Sequence, residues 1–148
     1  SQNSHVIPGL IKKFLNAKKF NLQRVECWGT GSALREFLYV DDLAEAVIFC
    51  LRNWDPCSSN SPKDKSGDPL TYLNVGTGQE ISIKNLAKLI AEKVGYKGTI
   101  IWDKTKPDGT KRKLLNIDNI TNLGWLANTK LNLGLEKTIA NLKNQEVL

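Results

Sequence analysis

The sequence predicts a mixed α/β fold in which short strands alternate with helices. Three observations carry this. Apolar residues recur at helical spacing in several windows, most clearly at Ile83, Leu86, Ala87, Ile90, Ala91 and Val94. Between those windows lie short runs rich in aromatic and β-branched residues, such as Val25–Trp28 and Thr99–Trp102. Gly-Thr-Gly segments at 29–31 and 76–78 each close such a run. Helix and strand signals that alternate along one chain imply a mixed α/β arrangement.

The first element is an amphipathic helix. Ile7, Leu10, Ile11, Phe14 and Leu15 follow the i, i+3, i+4, i+7, i+8 stripe, and it should fade near Phe20. Pro8 suits the first turn, where a backbone N–H has no intrahelical acceptor. Val25–Trp28 reads as a strand ended by Gly29-Thr30-Gly31, and 36–40 reads as a second strand. Asp42 is expected to cap the next helix, with Glu45 three residues on completing a capping box. That helix should turn Val47, Ile48 and Leu51 inward. Residues 53–70 are rich in Asn, Asp, Ser, Pro and Gly and read as an exposed, flexible loop. Tyr72–Val75 reads as a strand before Gly76-Thr77-Gly78. Ser82 should cap the third helix and Gly95 should end it in a left-handed conformation. Then come a strand at Thr99–Trp102, a polar turn at 104–110 and a short helix near 117–123. A final helix carries Leu131, Leu135, Ile139 and Leu142, despite Gly134.

Composition bounds the function. A chain of 148 residues with 41% hydrophobic content suffices for one domain or one lobe of a larger protein. The longest apolar run, Ala46–Leu51, is far short of the roughly 18 residues a membrane-spanning helix needs. There is no Met and the chain begins at Ser1, so a piece of a longer protein is expected. Three cysteines without a Cys-x-x-Cys spacing favour a reducing, cytoplasmic setting over a disulfide framework. With a single His, no metal site is expected. The net charge of +6 is clustered, at Lys12, Lys13, Lys18, Lys19 and Arg24 and again at Lys104, Lys106, Lys111, Arg112 and Lys113. Such clusters attract phosphates.

Neither Gly-Thr-Gly segment completes a dinucleotide fingerprint. The position that needs a third glycine holds Leu34 in one and Ile81 in the other. Both are expected to be tight strand-ending turns. No tyrosine is followed four residues later by lysine, and one His gives no basis for a hydrolytic triad.

Five segments stand out together: Ser4-His5-Val6-Ile7-Pro8, Trp28-Gly29-Thr30-Gly31, Arg35-Glu36-Phe37-Leu38-Tyr39-Val40-Asp41-Asp42, Asn74-Val75-Gly76-Thr77-Gly78, and 106–113 with its Lys-Pro-Asp-Gly-Thr start. In these the chain resembles the C-terminal half of the extended short-chain dehydrogenase/reductase group. The first and last segments are narrower and look like the GDP-L-fucose synthase family. The resemblance implies a substrate-binding lobe spanning 1–148, with an NADP-binding Rossmann half elsewhere in the intact protein. It implies an NADPH-dependent epimerase/reductase that converts GDP-4-keto-6-deoxy-D-mannose to GDP-L-fucose. It also implies a homodimer when intact, with no nucleic-acid or membrane partner. By itself the chain should be inactive.

The resemblance assigns roles to single residues. His5 matches the family's histidine near NADP(H) and the keto sugar, the acid in epimerisation. Arg35 matches a residue that binds the GDP part, where a planar guanidinium suits a diphosphate. Its alternative role is a structural ion pair with Glu36 or Asp42. Trp28 matches a substrate-contacting indole, or is a plain core or rim aromatic. Asp108 matches a substrate contact, or is the turn residue of Pro-Asp-Gly. Lys113 fits a phosphate or ribose contact. Lys13 stands where many members carry Arg, so it keeps the charge and loses the fork. The rival readings are another nucleotide-sugar epimerase or dehydratase, a basic nucleic-acid-binding module, and a non-catalytic interaction domain.

Overall fold

Apolar spacing sets the helices, and their packing sets the fold. The computed structural model describes residues 5–144, so Ser4 of the Ser-His-Val-Ile-Pro segment lies outside the described residues. The element order is α1 (Val6–Lys19), β1 (Arg24–Trp28), β2 (Leu34–Glu36), α2 (Val40–Asn53), β3 (Glu80–Ser82), α3 (Ile83–Val94), β4 (Thr99–Asp103), β5 (Arg112–Lys113), α4 (Asp118–Asn122) and α5 (Leu131–Asn144). The mixed α/β expectation holds. The chain forms two compact units. Among the described residues, unit 1 contains 5–35, 81–113 and 132–144, and unit 2 contains 36–80 and 114–131.

In unit 1, β1 and β4 pair in parallel from Arg24↔Thr99 to Trp28↔Asp103. Helix α1 buries Ile11, Phe14 and Ala17, and α3 buries Leu86, Ala87, Ile90, Ala91 and Val94. The Phe14 ring meets Tyr96 at a centroid distance of 5.5 Å. Leu135 and Ile139 of α5 are buried as well. Ser82 caps α3 by accepting from the Asn85 N–H at 3.2 Å, worth about 1 kcal/mol over alanine. Gly95 ends α3 at φ 74°, as its sequence position foretells. The Lys18 ammonium donates to the Val94 carbonyl at 2.9 Å, satisfying an acceptor that the helix end leaves open. A second, three-stranded sheet has the order β3-β2-β5, with Leu34↔Arg112 and Arg35↔Lys113 in parallel register.

Unit 2 is built around Ala46, Ile120 and Trp125, against which Leu38, Phe49, Leu73, Val75 and Ile117 pack. Four expectations are corrected. The second strand begins two residues early and stops at Glu36, because the strands on either side of it, β3 and β5, are themselves only three and two residues long. Tyr72–Val75 is not a strand. Leu73 and Val75 send side chains to the core, while Asn74 donates from Nδ2 to the Asn116 carbonyl at 3.1 Å. Helix α2 starts at Val40 after Tyr39, with no side-chain cap and no capping box. Asp42 is buried instead, accepting from the Thr129 N–H at 2.8 Å and the Thr129 hydroxyl at 2.7 Å. That pins the face carrying Asp42, Ala46, Phe49 and Cys50 to the core. Val47, Ile48 and Leu51 consequently point outward, Leu51 being 82% exposed. The helix has two apolar stripes, and the one carrying Ala46, Phe49 and Cys50 is buried.

Segment 53–70 is exposed for most of its length. It is braced from within, by Trp54 Nε1–H donating to Ser61 Oγ at 3.1 Å and by a Lys63↔Pro69 bridge.

Candidate functional site

All the residues singled out as site candidates fall in unit 1. Strand β1 ends at Trp28, whose indole is 58% exposed. The chain then turns through Gly29 and Gly31, both at positive φ, 78° and 73°. In that left-handed region a Cβ is strained and glycine is not. The turn points backbone N–H groups at one carboxylate. Asp108 Oδ1 accepts from Thr30 N–H at 2.6 Å and Gly31 N–H at 3.2 Å. Asp108 Oδ2 accepts from the Thr30 hydroxyl at 2.6 Å. The Thr30 hydroxyl and N–H hold the Asp108 carboxyl below the usual carboxylate range.

This clasp fixes the 104–110 loop. Asp103, at the end of β4, starts the loop by accepting from Thr105 Oγ1 at 2.6 Å and Thr105 N–H at 3.0 Å. Lys106 Nζ sits 5.7 Å from the Trp28 ring centroid, within cation–π range. A Cβ on Gly109 would lie 3.8 Å from Arg35 Nη2, so the loop backbone runs beside the guanidinium. Arg35 Nη1 donates to the Leu34 carbonyl at 2.6 Å. The carboxylates offered by the sequence as its ion-pair partners are engaged elsewhere, Asp42 on Thr129 and Glu36 on the second Gly-Thr-Gly turn. Lys113 is the register partner of Arg35, so two basic residues sit side by side on adjacent strands, whose backbones run about 4.8 Å apart.

Two candidates stand apart. His5 is the exposed residue preceding α1, and its ring makes no hydrogen bond among the described residues. Lys13 donates from Nζ to the Glu26 carbonyl at 2.7 Å, tying α1 to β1 two residues before Trp28. Lys106 was visible in the sequence as one member of a basic cluster. Nothing local to it signalled Trp28, which is far away in the chain.

The arrangement can receive an anion with a flat ring attached. An exposed indole face, an adjacent ammonium and a guanidinium beside a second cation suit a base and a diphosphate. It cannot cradle a dinucleotide in its Gly-Thr-Gly turns. The 29–31 donors hold Asp108, and Glu36 Oε1 accepts from Thr77 N–H at 2.7 Å and Gly78 N–H at 2.6 Å.

Residues 1–61 match the NAD dependent epimerase/dehydratase family. A protein of Oryza sativa subsp. japonica named Probable GDP-L-fucose synthase 1 is 47% identical over 93% of this chain and 38% of its own length. The chain resembles the GDP-L-fucose synthases. It spans well under half the length of the GDP-L-fucose synthase just described. Among solved structures, a GDP-6-OMe-4-keto-L-xylo-heptose reductase from Campylobacter jejuni superposes with a TM-score of 0.81 at 30% identity, over 96% of this chain and 48% of that one. A GDP-mannoheptose C4 reductase from the same organism, solved with NADP bound, gives 0.78 at 30% identity, over 95% of this chain and 45% of that one. Sequence and fold are thus both similar to proteins named for GDP-sugars, a synthase in one case and two reductases in the other.

Proposed function

We propose that this chain is the GDP-sugar-binding lobe of an NADPH-dependent epimerase/reductase that makes GDP-L-fucose from GDP-4-keto-6-deoxy-D-mannose. The observation that carries the reading is the juxtaposition of exposed Trp28 with Lys106, Arg35 and Lys113 in one unit, in a chain 47% identical to a GDP-L-fucose synthase relative. Arg35 and Lys113 meet the diphosphate. Trp28 packs on the base or sugar, and Lys13 offers the two N–H donors that Glu26 leaves free. Asp108 lies at the lip of the same site.

His5 supplies acid–base chemistry. Protons beside a C4 ketone are acidified because the carbanion delocalises into an enolate. Inverting C3 and C5 needs one group to remove a proton and another to return one on the opposite face. An imidazole ring nitrogen can hold a proton and hand it on, which suits that return. NADPH, when bound, supplies the hydride for C4. Both Gly-Thr-Gly turns are filled by this chain's own carboxylates, so the main cofactor site is assigned to another part of the intact protein. A soluble, cytoplasmic homodimer belongs to the same reading.

The test is a titration of the chain with GDP, UDP and single-stranded DNA, followed by tryptophan fluorescence at two salt concentrations. Saturable binding that favours GDP over UDP, weakened about 10-fold or more in Arg35→Ala, is expected from the loss of a charge-assisted pair. Preference for UDP would move the reading to another nucleotide-sugar enzyme. Tighter DNA binding with a steep salt dependence would replace it with a nucleic-acid module.

A further inference from the structure

We infer that Asp108 is a positioning residue: its carboxylate fastens the 104–110 loop to the Gly29-Thr30-Gly31 turn, which sets Lys106 over Trp28, and it does not itself take up the nucleotide's N–H groups. The inference deepens the nucleotide reading of unit 1 and rests on it for what the arrangement serves.

The argument begins with acceptor counting. A carboxylate has about four lone-pair directions. Asp108 spends three of them, on Thr30 N–H, Gly31 N–H and the Thr30 hydroxyl. A purine edge offering two parallel N–H groups needs one free direction on each oxygen, facing the same way. Crowding says the same. A Cβ built on Gly29 would collide with Asp108 Oδ1 and approach its Cγ at 3.0 Å, so turn backbone covers that side of the carboxylate. The depressed carboxyl agrees with a group that already accepts from several donors.

What the clasp accomplishes is visible on the loop. Asp108 lies two residues from Lys106 and one from Gly109. Lys106 reaches the Trp28 ring, and Gly109 runs beside Arg35. Thr30, the donor in two of the three bonds, is two residues from Trp28. One carboxylate therefore couples the stacking surface to the loop that brings a cation to it and passes its partner guanidinium. A direct contact residue would have no need of Thr30; a positioning residue depends on it.

The experiment compares Asp108→Asn, Asp108→Ala, Thr30→Ala and Lys106→Ala in this chain. It reads the Trp28 indole N–H and the Thr30 and Gly31 amides by NMR, and GDP affinity by fluorescence. An asparagine can reproduce the clasp, its Oδ1 accepting from both backbone N–H groups and its Nδ2 donating to the Thr30 hydroxyl. Asp108→Asn should thus keep the Trp28 signal in place and most of the affinity. Asp108→Ala and Thr30→Ala should both move the Trp28 signal toward its position in Lys106→Ala. Each should weaken GDP about 3- to 10-fold, the range expected for losing a clasp bond. Combined, they should lose less than the product of the two, because they break one device. Asp108→Asn as damaging as Asp108→Ala, with Thr30→Ala unchanged, would overturn the inference in favour of direct contact. A wild-type chain that binds no GDP would sink the nucleotide reading. The clasp would still be judged by the spectra, and a Trp28 signal unmoved in both Asp108→Ala and Thr30→Ala would refute it. Should Asp108→Ala fail to fold, Thr30→Ala against Asp108→Asn decides.

Discussion

Gly29-Thr30-Gly31 in unit 1 and Gly76-Thr77-Gly78 in unit 2 are the same three residues with the same task. In each, the threonine N–H, the threonine hydroxyl and the N–H of the second glycine converge on one carboxylate. The difference lies in the carboxylate. Asp108 comes from an exposed loop and links a surface turn to the loop that sets Lys106 near Trp28. Glu36 comes from strand β2, beside the residues that feed the unit 2 core, and its Oε2 takes a fourth bond from Leu115 N–H at 3.1 Å. The glycines differ too. Gly29 and Gly31 are required both by positive φ and by space, whereas Gly76 is required by space alone, since its Cβ would press on Glu36. A concave set of backbone N–H groups is a general anion receptor. In this protein the anion is internal, so a motif that resembles a phosphate cradle works as a fastener. One fastener serves stability and the other serves geometry.

If that division is right, breaking the two fasteners should have unequal effects. Glu36→Ala should act most, leaving Thr77, Gly78 and Leu115 N–H groups unpaired and costing about 3 kcal/mol. Hydrogen exchange should show the loss at Ile120 and Trp125. Gly31→Ala comes next, at about 2 kcal/mol for left-handed strain plus contact with Trp102 and the Lys84 Cβ. Gly67, at φ 90° with nothing near it, is the control that carries strain alone, and urea unfolding of both variants separates the two contributions. The smallest effect is the pH response of the Asp108 clasp. Its carboxyl is depressed in the folded chain, so its contribution is complete above the unfolded value of about 3.9. That contribution is lost as pH falls through the lower, folded value. Trp28 fluorescence should show an acid transition there that Asp108→Asn lacks.

Much of this architecture was legible because the deciding signals are local. The stripe Ile11–Phe14, the Ser82 cap and the Gly95 stop each depend on residues within a turn of one another. Asp42 shows where locality fails. Its position beside Asp41 and three before Glu45 has the pattern of a cap, yet a threonine 87 residues away claims the carboxylate. That distant bond also selects which of the two apolar stripes of α2 is buried. Tyr72–Val75 has strand composition but no ladder partner, so its side chains pack while its backbone does not pair. For the site, Trp28, Arg35, Asp108 and Lys113 could be named from sequence segments. The proximity of Lys106 to Trp28 could not, because it depends on a clasp spanning 78 residues.

The three cysteines have a use that follows from where the fold puts them. Cys27 is buried on β1 in unit 1, Cys50 is partly covered on α2 in unit 2, and Cys57 is exposed in the braced loop. Burial raises the Cys27 thiol, against an opposing pull from Lys13, and burial raises the Cys50 thiol as well. Thiolate is the reactive form, so these two react with an alkylating reagent chiefly when their surroundings open. The chain thus has a stopwatch in each unit, and exposed Cys57 offers a separate attachment point for a dye.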